Sequence, residues 1–120
     1  MPSLLEIEFD SDAKPATAML YLRGEAGYRE SAGLRDALFA AIDGLGDKNL
    51  VVDLEGLSRL DTAAMSVLVE ALVATRDQGP DLFLVCASES VRRVFHLAGL
   101  DDALTRCFGC WAELEKAVAV

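Results

Sequence analysis

An α/β fold with a mixed β-sheet entered by a hairpin is what this sequence predicts, and three observations predict it. The runs Leu50-Val51-Val52 and Leu82-Phe83-Leu84-Val85-Cys86 are continuously apolar, as strands covered on both faces must be. Between and after them lie segments whose apolar residues recur at helical spacing. Hydrophobic residues make up 52% of the 120 positions, enough to bury elements on more than one side. One core suffices at this length, so residues 1–120 are expected to form one domain.

Taken in order, Leu4 to Phe9 and Ala18 to Leu22 alternate as strands, and Ser11-Asp12-Ala13-Lys14-Pro15 between them reads as a turn, giving an opening hairpin. Gly24 and Gly27 are expected to stop the second strand. Leu34, Leu38, Ala41, Ile42 and Leu45 then mark one face of a helix ended by Gly44 and Gly46, with Arg35 and Asp36 on its wet side. Asn49 to Leu54 is the expected central strand, and Ala63 to Thr75 a helix stopped by Gly79-Pro80. After the strand at Leu82 to Cys86, Ser88 is placed to cap a helix carrying Val91, Val94, Phe95 and Ala98 and ending at Gly99. Arg92 and Arg93 are expected to point outward. A short strand at Leu104 to Phe108 and a helix with Trp111, Leu114, Glu115 and Val118 complete the order β-β-α-β-α-β-α-β-α.

Charge narrows the partners. A net charge of −9 repels phosphate, so nucleic acid is excluded and a basic protein surface is favoured. No basic-plus-apolar leader opens the chain, and Asp53, Ser66 and Glu70 interrupt the apolar stretches far short of the roughly 20 residues that span a bilayer. The expected setting is cytoplasmic, without membrane insertion. Three cysteines do not make a secreted disulfide framework.

Most candidate chemistry lacks parts. Cys107-Phe108-Gly109-Cys110 has redox spacing but comes near the end of the chain instead of opening a helix after an early strand, and a lone pair with His96 and Cys86 elsewhere does not assemble a zinc set. His96, between Phe95 and Leu97, reads as a partly buried helix residue. No Gly-x-Ser-x-Gly elbow or phosphate loop is present. Asp53, Glu55 and Asp61 gather near one strand end, where carboxylates more often cap loops and helices than hold cations. No enzyme activity, cofactor or metal is expected.

Leu60-Asp61-Thr62-Ala63-Ala64-Met65 is different, because it follows the carboxyl end of the central strand, where α/β proteins place their sites. Either Asp61 or Thr62 can cap the following helix. That helix is apolar around more of its circumference than a single core-facing stripe requires, so part of it is expected to meet another protein, with Met65 as an adaptable contact.

Leu50 to Leu54 followed by Leu57-Ser58-Arg59-Leu60-Asp61-Thr62-Ala63-Ala64-Met65 resembles the STAS domain, the fold of bacterial anti-sigma factor antagonists. Gly24-Glu25 and the run Ser90 to Leu100 fit the same resemblance, which covers the chain in element order. It implies a non-enzymatic partner switch. The hydroxyl after the hinge aspartate, here Thr62, is the residue that an anti-sigma factor serine/threonine kinase phosphorylates and a metal-dependent serine/threonine phosphatase clears. The unmodified protein binds the kinase and frees a sigma factor; the phosphorylated one lets go. Asp61 would position Thr62, and Glu25, Ala64, Met65 and Leu68 would contribute to the kinase-binding face. Where the family usually has Ser-Ser-Gly-Leu or Ser-Thr-Gly-Leu, this chain has Thr62-Ala63-Ala64-Met65, and Gly27 stands where it tends to carry an aspartate. A threonine among small neighbours also resembles the STAS subunit of bacterial phospholipid ABC transporters, which docks on an ATPase without known need of the switch, so the alternative expectation is a non-phosphorylated docking subunit of such a transporter or of a signalling assembly.

Overall fold

Alternation of large apolar side chains sets the frame. The computed structural model describes residues 4–14, 16–76, 81–97, 99 and 106–117. Within them β1 (Leu5–Lys14) and β2 (Thr17–Ala26) pair antiparallel, and a 3-10 turn (Tyr28–Glu30) leads into α1 (Ser31–Asp43). Then come β3 (Asn49–Leu60), α2 (Thr62–Arg76), β4 (Leu82–Val85), α3 (Glu89–Leu97), β5 (Cys107–Phe108) and α4 (Trp111–Ala117). The strands lie in the order β1-β2-β3-β4-β5, with β2 to β5 mutually parallel and β1 antiparallel at the edge. This is the predicted mixed α/β sheet in the predicted element order.

The period-2 rule divides the sheet into two faces. Leu20, Leu22, Leu50, Val52, Leu82 and Leu84 pack beneath α1, α2 and α3, where Leu38, Leu68 and Phe95 fill the layer. Met19, Val51, Phe83 and Val85 point the other way, onto Leu114 of α4. The wide apolar surface of α2 is thereby explained: Ala64, Met65, Val67, Leu68, Ala71 and Leu72 are all buried within that first layer. What remains outside is Val73, Ala74 and part of Ala63 and Val69.

Three expectations about strand ends change. The segment expected to turn at Ser11 to Lys14 stays in β1, with the register slipping between Asp10 and Lys14. Lys48 holds it down from the α1–β3 connection, its Nζ donating to Ser11 O at 2.6 Å. Nor does Gly24 stop β2. It adopts φ +96°, which lets the strand shift register and continue to Ala26. A Cβ there would stand 2.2 Å from Leu4 O, so the close approach of β1 also requires glycine. β3 likewise runs past Leu54 to Leu60, because its extension keeps pairing with β2 up to Ala26↔Leu60 after β4 has ended opposite Asp53.

Smaller differences follow from packing. Arg92 is half-buried instead of pointing outward, since its guanidinium donates to Cys107 O at 2.9 Å. Arg93 is exposed as expected, while His96 lies exposed on α3 instead of partly buried, the buried face being taken by Val91 and Phe95. Ser88 does cap α3, accepting from Val91 N at 3.3 Å. Pro15, Gly79, Pro80, Ala98, Leu104 and Val118, assigned above to turns and element ends, lie outside the described residues, as does the side chain of Val94.

Thr17 begins β2 fully buried, and its hydroxyl finds no partner among the described residues. Burying an unpaired hydroxyl costs about 1–3 kcal/mol, and valine has nearly the same shape. Thr17→Val is therefore expected to stabilise the fold by about 1 kcal/mol, read as a higher urea midpoint at unchanged slope.

Candidate functional site

The hinge between β3 and α2 is built by one side chain. Asp61 N donates to Ala26 O at 3.0 Å, which ends the β2–β3 ladder. Its Oδ1 then accepts from Ala64 N at 3.1 Å, while its backbone oxygen accepts from Met65 N at 2.9 Å. Asp61, not Thr62, is therefore the N-cap of α2. The second carboxylate oxygen is used as well, because Oδ2 accepts from Tyr28 N at 2.9 Å. One carboxylate thus ties the exit of β2 to the start of α2.

Gly27 fits this arrangement. A Cβ at position 27 would stand 3.3 Å from Asp61 Oδ2, so an aspartate there would press a second carboxylate against the first. Its absence leaves Asp61 free to hold the Tyr28 backbone.

Capping by Asp61 sets Thr62 free. Thr62 is the first residue of α2, exposed, and its hydroxyl takes no hydrogen bond among the described residues, although its backbone oxygen accepts from Ser66 Oγ at 2.9 Å. The N–H groups of Thr62 and Ala63 likewise have no acceptor there. A free hydroxyl therefore sits at the positive end of a 15-residue helix.

On the side of Asp61 lies a hollow of about 370 Å³ lined by Glu25, Tyr28, Arg29, Arg59 and Asp61 among others. Glu25 is half-buried and pairs in register with Arg59 on β3, its N–H held by Leu4 O at 2.9 Å. Tyr28 is 80% exposed, so its ring is available to a partner. The hinge residue Asp61 and the β2 residue Glu25 are thus brought to one rim, and Thr62 follows Asp61 directly as the exposed first residue of α2. Ala64, Met65 and Leu68 are not. They are 0, 6 and 0% exposed, so the part expected of them in a partner-binding face is corrected to core packing, imposed by the sheet on the buried side of α2. Tyr28, Arg29 and Arg59 take their place on the rim. No periodicity marks them in the sequence, because Tyr28 and Arg29 sit in a single 3-10 turn and Arg59 at a strand end.

A second polar cluster lies within β3, where β4 ends beside it. Asp53 Oδ1 accepts from Glu55 N at 2.9 Å, and one ligand-type atom from each of Asp53, Glu55 and Cys86 lies within 4.8 Å of the others. Asp61 stands apart from this group, being committed to its cap. Burial pushes the Cys86 thiol up to about 11, with Asp53, Glu55 and Cys110 adding to the rise. Cys107 and Cys110, adjacent in the sequence motif, are separated by environment: Cys107 is buried in β5 and Cys110 is exposed beyond it.

Burial also raises the Cys107 thiol, to about 11, against the pull of Arg92 and Arg106. Because the folded value lies above the ordinary one near 9, its contribution to stability is full below pH 9 and disappears as pH rises through 11. The urea midpoint should fall over that window, and Cys107→Ala should fall less steeply than the parent protein.

These features define a small α/β domain whose exposed site is a capped helix start with an unbonded hydroxyl beside it. The chain belongs to the STAS domain family, whose model matches residues 8–117. Its fold is similar to that of the cell fate determinant SpoIIAA of Bacillus in its phosphorylated form, at 18% identity over 92% of this chain and 97% of that one, with a TM-score of 0.67. An anti-sigma factor antagonist from Mycobacterium paratuberculosis aligns over 97% of this chain and 95% of its own, at 18% identity and a TM-score of 0.76. A sulfate transporter family protein from Wolinella succinogenes also matches, at 18% identity over 87% and 86% of the two chains, with a TM-score of 0.65. At such identities the likeness is one of fold.

Proposed function

We propose that this protein is an anti-sigma factor antagonist that works by partner switching, with Thr62 as the phospho-acceptor. The observation that carries the reading is the free, exposed Thr62 hydroxyl at the N-terminus of α2, beside a carboxylate that is fully engaged in holding the hinge. In this reading the unmodified rim of Glu25, Tyr28, Asp61 and Thr62 docks on an anti-sigma factor serine/threonine kinase, which then releases its sigma factor. Phosphate on Thr62 adds about −1.5 to −2 charge next to Asp61 and in a domain of net charge −9, and its bulk covers the rim. The kinase lets go, and a serine/threonine phosphatase resets the protein. The protein itself catalyses nothing, and its setting is the cytoplasm. Among the described residues no helix is long and apolar enough to cross a membrane.

The fold similarity to a transporter family protein favours a second reading, in which the same rim docks constitutively on a transport assembly, such as an ABC-type lipid transporter, and Thr62 is only a contact. Incubation with the kinase encoded nearest to it and ATP, followed by mass spectrometry, separates the two. Phosphate confined to Thr62 supports switching; an unmodified protein that stays bound supports docking.

A further inference from the structure

The polar cluster on β3 beside the carboxyl end of β4 lies on residues that the switch does not use. Asp53 is only 9% exposed, yet among the described residues no lysine, arginine or histidine pairs with it. Its Oδ1 is held by the Glu55 N–H, and the groups around it are a second carboxylate and a thiol. A buried carboxylate without a counter-cation is costly, and a like charge beside it raises the cost. A cation held by these three groups would offset both costs.

From this arrangement we infer that Asp53, Glu55 and Cys86 form a binding site for a divalent cation of the zinc class. The donor set decides the class. Two carboxylates alone would suit calcium or magnesium, but a thiolate selects borderline metals such as Zn²⁺. Bonds of about 2.0–2.3 Å to oxygen and sulfur put tetrahedral ligands roughly 3.5 Å apart. The three donors lie within 4.8 Å of one another, and Glu55, exposed at the rim, can swing in to close the difference. Glu55 and Cys86 also line a pocket of about 500 Å³, which gives an ion a path from solvent and leaves a fourth position open. On binding, the S–H bond of Cys86 is replaced by a metal–sulfur bond and the proton passes to solvent. The bound ion would fasten the β3 extension to the β4–α3 connection.

Metal-free full-length protein titrated with Zn²⁺ against a chromophoric chelator should take up one equivalent. Cys86→Ser and Glu55→Gln should each weaken uptake at least tenfold, and Glu55→Gln, at an exposed position, leaves folding intact. Co²⁺ in place of Zn²⁺ should show thiolate-to-metal charge-transfer absorption that Cys86→Ser abolishes and Cys107→Ser retains. No uptake by the parent protein, uptake unchanged in Glu55→Gln, or a charge-transfer band that follows Cys107 would overturn the inference.

Discussion

Thr62→Glu is expected to bind the partner kinase about 10–100-fold more weakly than the unmodified protein, while Thr62→Ala binds as the parent does and takes up no phosphate. Each tenfold corresponds to about 1.4 kcal/mol, a modest demand on a charge placed next to Asp61 of the proposed docking rim. The sign of the effect depends on a competition within the hinge. The N-terminus of α2 attracts an anion, and the unused N–H groups of Thr62 and Ala63 can orient it. Against this stand Asp61, half-buried next door, and Glu25 across the rim. The first effect would fix a phosphate in place and the second would set it against an approaching surface, so on the proposed reading the modification is expected to change docking without unfolding the helix. Thermal melts should show this separation. Both substitutions fall on an exposed side chain and should change stability by less than about 0.5 kcal/mol. Thr62→Ser should retain phosphorylation. Equal kinase affinity of Thr62→Glu and the parent protein, measured by calorimetry, would remove the switch and leave constitutive docking.

Much of the frame was legible because burial leaves a period in the sequence. Leu50-Val51-Val52 and Leu82-Phe83-Leu84-Val85 are buried on both faces of the sheet and carry no polar interruption, so both central strands could be placed from composition alone. The strand ends were less legible. Gly24 looks like a stop because glycine usually is one, yet its tolerance of φ +96° is what lets β2 continue, and only the neighbouring Leu4 carbonyl reveals which use applies. The breadth of the apolar surface on α2 misled in a related way. A helix flanked by α1 and α3 on one face of a sheet buries more than a single stripe, so Ala64, Met65 and Leu68 resemble an interface in sequence and belong to the core in space. Asp53 and Cys86 are 33 positions apart, and nothing local predicts that β4 ends opposite Asp53.

Asp61→Ala should lower the stability of the fold by about 2 kcal/mol. The N-cap bond to Ala64 accounts for about 1 kcal/mol of this, and the bond to the Tyr28 N–H, made by a charged acceptor, for about as much again. Asparagine distinguishes the two contributions. Its single carbonyl oxygen can serve Ala64 or Tyr28 but not both, and its amide then faces the other N–H as donor against donor, so Asp61→Asn should fall between the parent and alanine. Serine is shorter: it can cap Ala64 but cannot reach Tyr28, and hydrogen exchange should show the Tyr28 amide exposed while the Ala64 amide stays protected. That pattern bears on function as well as folding. Asp61 joins the exposed Tyr28 to the first turn of α2 by accepting two bonds on one carboxylate, from Tyr28 N and Ala64 N, so in Asp61→Ser the helix remains capped while the rim loses its fixed geometry. Phosphorylation of Thr62 should then slow more than the small stability loss accounts for. If Asp61→Ser is phosphorylated at the parent rate with its Tyr28 amide exposed, the rim does not need that tether and kinase recognition rests on the start of α2 alone.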